Sequence, residues 1–128
     1  MGLVSHGIGI GAFVYLRRIF EDLVDEAHVL AKSDSGWNED EFQRGRMEEK
    51  ILSLRNYLPT FLVEKRDIYG ILSKGIHALS EDECLAYFDT LRMGIELILE
   101  QRLAVEEQER RVKQATEGIA NIKGALKR

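Results

Sequence analysis

"HGIGIGAFVYLRR", residues 6–18, decides between two folds. Gly7, Gly9 and Ala12 fit the G-x-G-x-x-G/A spacing of a dinucleotide-binding turn. That reading needs a strand before the glycines and a βαβ unit around them. Only six residues precede Gly7, too few for a strand and turn, and no parallel strand pattern follows. Instead Ile10, Phe13, Leu16, Phe20, Leu23, Ala27 and Leu30 recur at three- and four-residue spacing, widened by Val14 and Val24. Arg17, Arg18, Glu21, Asp22, Asp25 and Glu26 fill the opposite face, with Arg18 and Asp22 at i,i+4. The stretch therefore enters an amphipathic helix over 10–31. Its small residues permit close helix packing.

The same period continues outward. "KSDSGWN" breaks the first helix, and a second is predicted from Asn38 to Leu58. Asn38 can cap it, Glu41 has the spacing of a capping box, and Trp37 and Phe42 that of a hydrophobic staple. Pro59 ends it, because the residue before a proline is pushed out of the helical region. Thr60 is expected to cap a third helix, with Phe61, Leu62, Ile68, Leu72, Ile76 and Leu79 on its apolar face and Gly70 and Gly75 weakening it. Ser80-Glu81-Asp82-Glu83 marks a fourth start: Ser80 caps, Glu83 is its partner, and three acids sit where the helix dipole favours them. Leu85, Phe88, Leu91, Ile95, Ile98 and Leu99 are its core candidates, and the helical pattern runs on into the tail without a breaker. There Val105, Val112, Ala115, Ile119, Ile122 and Leu126 fall on a and d positions of a heptad frame, with Gln108 the polar exception. This seam can wrap back on the bundle or pair with a second chain.

The totals agree with one helical domain. The chain has 128 residues, 45% hydrophobic and 31% charged, and one proline to interrupt helices. A net charge of −4 argues against binding nucleic acid through bulk charge, and a DNA partner is not expected. Cys84 is the single cysteine, so no internal disulfide forms. No signal peptide is visible, and the apolar run from Ile8 to Leu16 is too short to span a bilayer, so a cytoplasmic protein is expected.

Few residues suggest chemistry. His6, His28 and His77 lie on separate segments and form no zinc motif, so neither a metal nor another cofactor is expected. His28 reads as a surface residue late in the first helix. In "ILSKGIHALS", Ser73 and His77 share a helix face and Lys74 lies three residues before His77. A Ser–His pair suggests a nucleophile and its base, but no orienting acid accompanies it. A satisfied structural histidine is the simpler reading. Arg17 and Arg18 point to different sides of the helix, so one can face solvent while the other reaches an interface.

"GAFVYLRRIFEDLVDEA", residues 11–27, followed by "IYGILSKGIHALSEDECLAYFDTLRMGIELILEQ", residues 68–101, resembles a HEPN-type helical domain. More closely, it is similar to an uncharacterised bacterial family carrying YLRR(I/V)FE and LSKGIHxLSExEC motifs. The resemblance implies a helical bundle, commonly dimeric, from a group that includes ribonucleases of toxin–antitoxin and phage-defence systems and inactive binding modules. Active members carry an arginine and a histidine separated by four to six residues. His77 matches the histidine, but the positions for the arginine hold Gly70, Ile71 and Leu72, and Arg66 lies too far upstream. The family's chains also continue before "GIG", so Met1-Gly2 is expected to open the C-terminal domain of a longer protein.

The combined expectation is an all-α, HEPN-like bundle of four main helices in a single domain over 1–128, with a helical tail over 104–128. It is expected to act as a non-catalytic homodimerisation or interaction module, with a protein or RNA partner, linked to defence or nucleic-acid processing. Arg17, Arg18, Tyr69 and His77 are the candidate interface residues. The alternative is a ribonuclease with a rearranged site, using His77, Ser73 and Lys74.

Overall fold

A computed structural model describes residues 7–127; His6, Met1-Gly2 and the last residue lie outside them. The described residues are helical throughout, joined by turns, with no strand among them. Helix α1 (Ile8–Ala31) is entered through Gly7, whose φ of 79° is the left-handed conformation glycine adopts without strain. Among the described residues no strand accompanies these glycines, so the sheet that the dinucleotide reading requires is not there.

The helix predicted over 38–58 divides into α2 (Glu39–Arg44) and α3 (Met47–Ser53), followed by turns. Gly45 and Arg46 are extended, at ψ 154° and 169°, so the chain changes direction at its weakest helix former. The cap and the aromatic contact of the expected start form, without the reciprocal Glu41 bond of a capping box among the described residues. Asn38 Oδ1 accepts from Glu41 N at 3.1 Å, and the Trp37 and Phe42 rings pack tilted at 51° with centroids 5.2 Å apart.

The third predicted helix also divides, into α4 (Thr60–Glu64) and α5 (Asp67–Ala78). Pro59 is the residue that caps α4, and Thr60 is its first helical residue. The free Phe61 N–H donates to Gln101 Oε1 of the last helix at 2.7 Å. The break at Lys65-Arg66 has a packing cause. In an unbroken helix Leu62 and Ile68 would point about 120° apart. Turned at Lys65, both enter one core, Leu62 fully and Ile68 nearly so.

The fourth helix and the tail are a single element, α6 (Glu81–Leu126), 46 residues long. Its capping box is complete: Ser80 Oγ accepts from Glu83 N at 3.1 Å, and Ser80 N donates to Glu83 Oε1 at 3.0 Å. At about 1.5 Å per residue α6 is about 69 Å long.

Helix α1 is the spine of the bundle. It packs chiefly along α6 and α5, while α4 lies on α6 and α3 on α5. Phe13, Phe20, Ile51, Leu54, Leu62, Leu72, Ile95 and Ile98 are the large side chains of the core, and all are essentially inaccessible. No polar or charged residue among the described ones is buried. Glycines set the closest approaches. A Cβ on Gly75 would lie 2.5 Å from the Phe13 ring, and one on Gly94 3.2 Å from Ile68. Two expected core positions lie outside: Leu30 is 59% exposed and Leu85 36%.

Candidate functional site

The sequence points first to one face of α5. Tyr69, Ser73 and His77 rise along it one turn apart, and Glu21 of α1 faces Tyr69. Tyr69 Oη donates to Glu21 Oε2 at 2.8 Å, and its ring packs on Phe20 at 5.7 Å between centroids. Burial and the Glu21 bond both push the Tyr69 hydroxyl above its ordinary pKa, while the nearby Ser73 hydroxyl and Arg17 pull it down. Ser73 Oγ is itself buried with no hydrogen bond of normal geometry, although it lies toward Tyr69. His77 and Lys74 are exposed, so the expectation of a satisfied structural histidine is corrected here. Arg17 is half-buried beside Tyr69, and Arg18 is exposed, as their adjacent positions on a helix require. The polar tie is therefore Tyr69–Glu21, with Ser73 and Arg17 beside it, and no bond joins it to His77.

The glycine stretch holds an anion, supplied by the chain itself. Gly9 N and Ile10 N donate to the two carboxylate oxygens of Glu81, at 2.7 and 2.9 Å. Free N–H groups and the helix dipole make the start of α1 a cradle for negative charge. Glu81, in the first turn of α6, fills that cradle and clamps the two helices together. A Cβ on Gly9 would lie 2.7 Å from the Glu81 carbonyl oxygen, so the glycine is required for this approach. Cys84 lies beneath it, fully buried, its thiol pushed up by burial and by Glu81 and Glu83. Such a thiol is a poor nucleophile.

A second cluster ties the end of α1 to α2. Glu39 accepts from Trp37 Nε1 at 2.8 Å and Gln43 Nε2 at 2.8 Å, and its Oε1 lies 2.7 Å from His28 Nε2. These bonds, that of Gln43 foremost, hold its carboxyl at about 2. The His28 ring stacks on Phe42, with centroids 4.1 Å apart. His28 is thus half-buried and structural, which corrects its reading as a surface residue. Among the described residues no group of three or more His, Cys, Asp and Glu could hold a metal ion.

An apolar surface lies open along the second half of α6. From Leu103 to Lys127 every residue except Gly118 is exposed. Val105, Val112, Ile119, Ile122 and Leu126 leave 54–83% of their surface to solvent. Cys84, Leu91 and Ile98 share the a position of Val105, Val112, Ile119 and Leu126 further up the helix, where they are buried in the bundle. The a positions of the seam therefore continue the core face of α6 past the end of the core. At the junction lies a groove of about 590 Å³, lined by Ala27, Leu30, Tyr57, Pro59, Arg102 and Val105. Leu30 is exposed because it forms the wall of this groove. Arg102 bridges it, with Glu26 at 2.8 Å and Glu106 at 3.1 Å.

No helix among the described residues is long and apolar enough to cross a membrane. The chain matches no protein-family model, no curated protein and no solved structure.

Proposed function

We propose that the chain is a non-catalytic helical interaction module, HEPN-like in fold, that self-associates in the cytoplasm through the tail of α6. Residues 7–102 form the bundle, and the tail presents an apolar heptad seam to whatever binds it. The observation that carries this reading is the exposure of five large seam residues on one face of one continuous helix. A lone helix gains little by displaying such a stripe, whereas association buries it. A bacterial defence or nucleic-acid-processing assembly is the setting the HEPN resemblance suggests.

Light scattering on the wild type and on Ile119→Asp tests this. The wild type is expected to be a dimer at micromolar concentration and the variant a monomer with the same helicity. A wild type that is monomeric throughout overturns the reading. The ribonuclease reading draws on the exposed His77 and Lys74, which a substrate can reach. It predicts RNA cleavage by the wild type that His77→Ala abolishes; equal activity in both, or none in either, removes it.

A further inference from the structure

We propose that the partner of the tail is the tail of a second copy, laid antiparallel, with Val112 packed against Ile122 of the other chain and Ala115 against Ile119. The inference rests on the interaction-module reading and names its occupant. The seam runs a–d–a–d from Val105, so a and d positions are Val105, Gln108, Val112, Ala115, Ile119, Ile122 and Leu126. An antiparallel pair sets a positions against d positions of the other helix. In the register centred near Glu117, each inner layer then joins a smaller residue to a larger one, Val to Ile and Ala to Ile. Gln108 moves to the end of the overlap, opposite Leu126. The overlap from Gln108 to Leu126 is about 27 Å long.

Charge selects this arrangement. The e positions along the seam are Glu109, Thr116 and Lys123, and the g positions are Arg111, Gly118 and Ala125. With the helices antiparallel, e positions face e and g positions face g. Glu109 then meets Lys123 of the other copy, twice by symmetry, while Thr116 and Gly118 each meet their own copies at the two-fold axis. No like charges are opposed. Within the described residues of one chain, neither Glu109 nor Lys123 takes part in an ion pair, although Arg110 pairs with Glu107 and Arg102 with Glu106. A parallel pair would instead face Arg111 with Thr116 and Lys123 with Gly118, bringing no opposite charges together, and would stack Gln108 on Gln108. Sliding the antiparallel pair by one heptad toward the bundles would set Lys123 against Arg102 and bury Gln108 against Ile119. The wider pattern agrees. Glu106, Glu107 and Glu109 crowd the start of the tail, and from Gly118 onward its charged residues are Lys123, Lys127 and Arg128, all basic. Such a helix is complementary to itself only when reversed, and a two-fold axis then makes one surface serve both chains.

Charge reversal in the full-length chain tests the register. Glu109→Lys and Lys123→Glu alone each set like charges together twice, and each is expected to raise the dimer dissociation constant about tenfold at low salt. The double variant Glu109→Lys/Lys123→Glu is expected to restore wild-type association. Sedimentation equilibrium reads all four proteins, and circular dichroism confirms that helicity is kept. Single reversals without effect, or a double variant no tighter than the singles, overturn the antiparallel register. If Ile119→Asp still abolishes the dimer in that case, the interaction-module reading stands without it. A wild-type chain that stays monomeric overturns both.

Discussion

A single methyl group separates two glycines five residues apart on α5. At Gly75 a Cβ would sit 2.5 Å from the Phe13 ring, which is fully buried and cannot yield. At Gly70 a Cβ would meet nothing within 4 Å. Gly75→Ala is therefore expected to destabilise the bundle by about 1–3 kcal/mol, the usual cost of overpacking, even after the gain in helix propensity. Gly70→Ala is expected to stabilise by up to about 1 kcal/mol. Urea unfolding of the two variants should move the midpoint in opposite directions; the same sign for both would refute the packing argument. Glu81 makes a third residue-scale claim. Its carboxylate answers two N–H groups that nothing else in α1 can satisfy. Glu81→Ala should cost roughly 1–2 kcal/mol, in the range of a strong N-cap, and Glu81→Gln less, since the amide keeps one acceptor oxygen. A loss confined to α6, with hydrogen exchange at Gly9 and Ile10 unchanged, would contradict the clamp. Composition and spacing offered no route to this contact. The acid run after Ser80 is explained by its own helix, and only the fold reveals that its first member also serves another.

Elements whose ends are set locally were legible in advance; those set by packing were not. The start of α6 is written in Ser80 and Glu83, and that of α2 in Trp37, Asn38 and Phe42, because each cap bonds within four residues of itself. The break at Lys65 follows from where Leu62 and Ile68 must go, and a helical period shows no seam there. Likewise the heptad positions of the tail could be read from spacing, but whether they fold back could not, since an amphipathic stripe carries no address. The link between α1 and α2 is of the hidden kind, because it pairs His28 with Glu39 across a turn. Its pH dependence follows from Glu39, whose carboxyl is lowered from 4.5 to about 2 by Gln43, Trp37 and His28. A carboxyl with a depressed folded pKa stabilises the fold above its unfolded pKa and loses that contribution as pH falls through the folded one. The support from Glu39 should therefore be whole above about 4.5 and fade toward 2. Trp37 is the only tryptophan and donates to this carboxylate, so its fluorescence reports the tie directly. Between those limits the stability of Glu39→Gln should change less with pH than that of the wild type; parallel curves would show that Glu39 contributes nothing on acidification.

The whole molecule is a compact bundle carrying a rod, and the two parts are held by different forces. Residues 7–102 are fixed by burial around Phe13, Phe20 and Ile98, while residues 103–127 have backbone hydrogen bonds and little else. A free helix without packing partners gains little stability in water, because starting a helix is costly. Here the bundle has already supplied the first turns, so the tail needs only to propagate. Propagation is weakest where support is least: Gly118 and Gly124 each lower helix stability by about 1 kcal/mol relative to Ala, and a Cβ on either would meet no side chain within 4 Å. In a monomer, protection from amide exchange should therefore be high to about Ile98, fall beyond Arg102, and be least past Gly118. Association changes that gradient in one place. If two tails pair antiparallel, protection should rise with protein concentration from about Gln108 to Leu126, highest near the two-fold axis at Glu117, while amides around Phe13 and Leu72 stay as they were. A parallel pair anchored at the bundles would instead protect the tail most at its start. If the tail folds back on its own chain, protection beyond Arg102 should be high and independent of concentration. Exchange followed at two protein concentrations separates these outcomes, because only pairing between chains makes the stability of a helix depend on how many copies surround it.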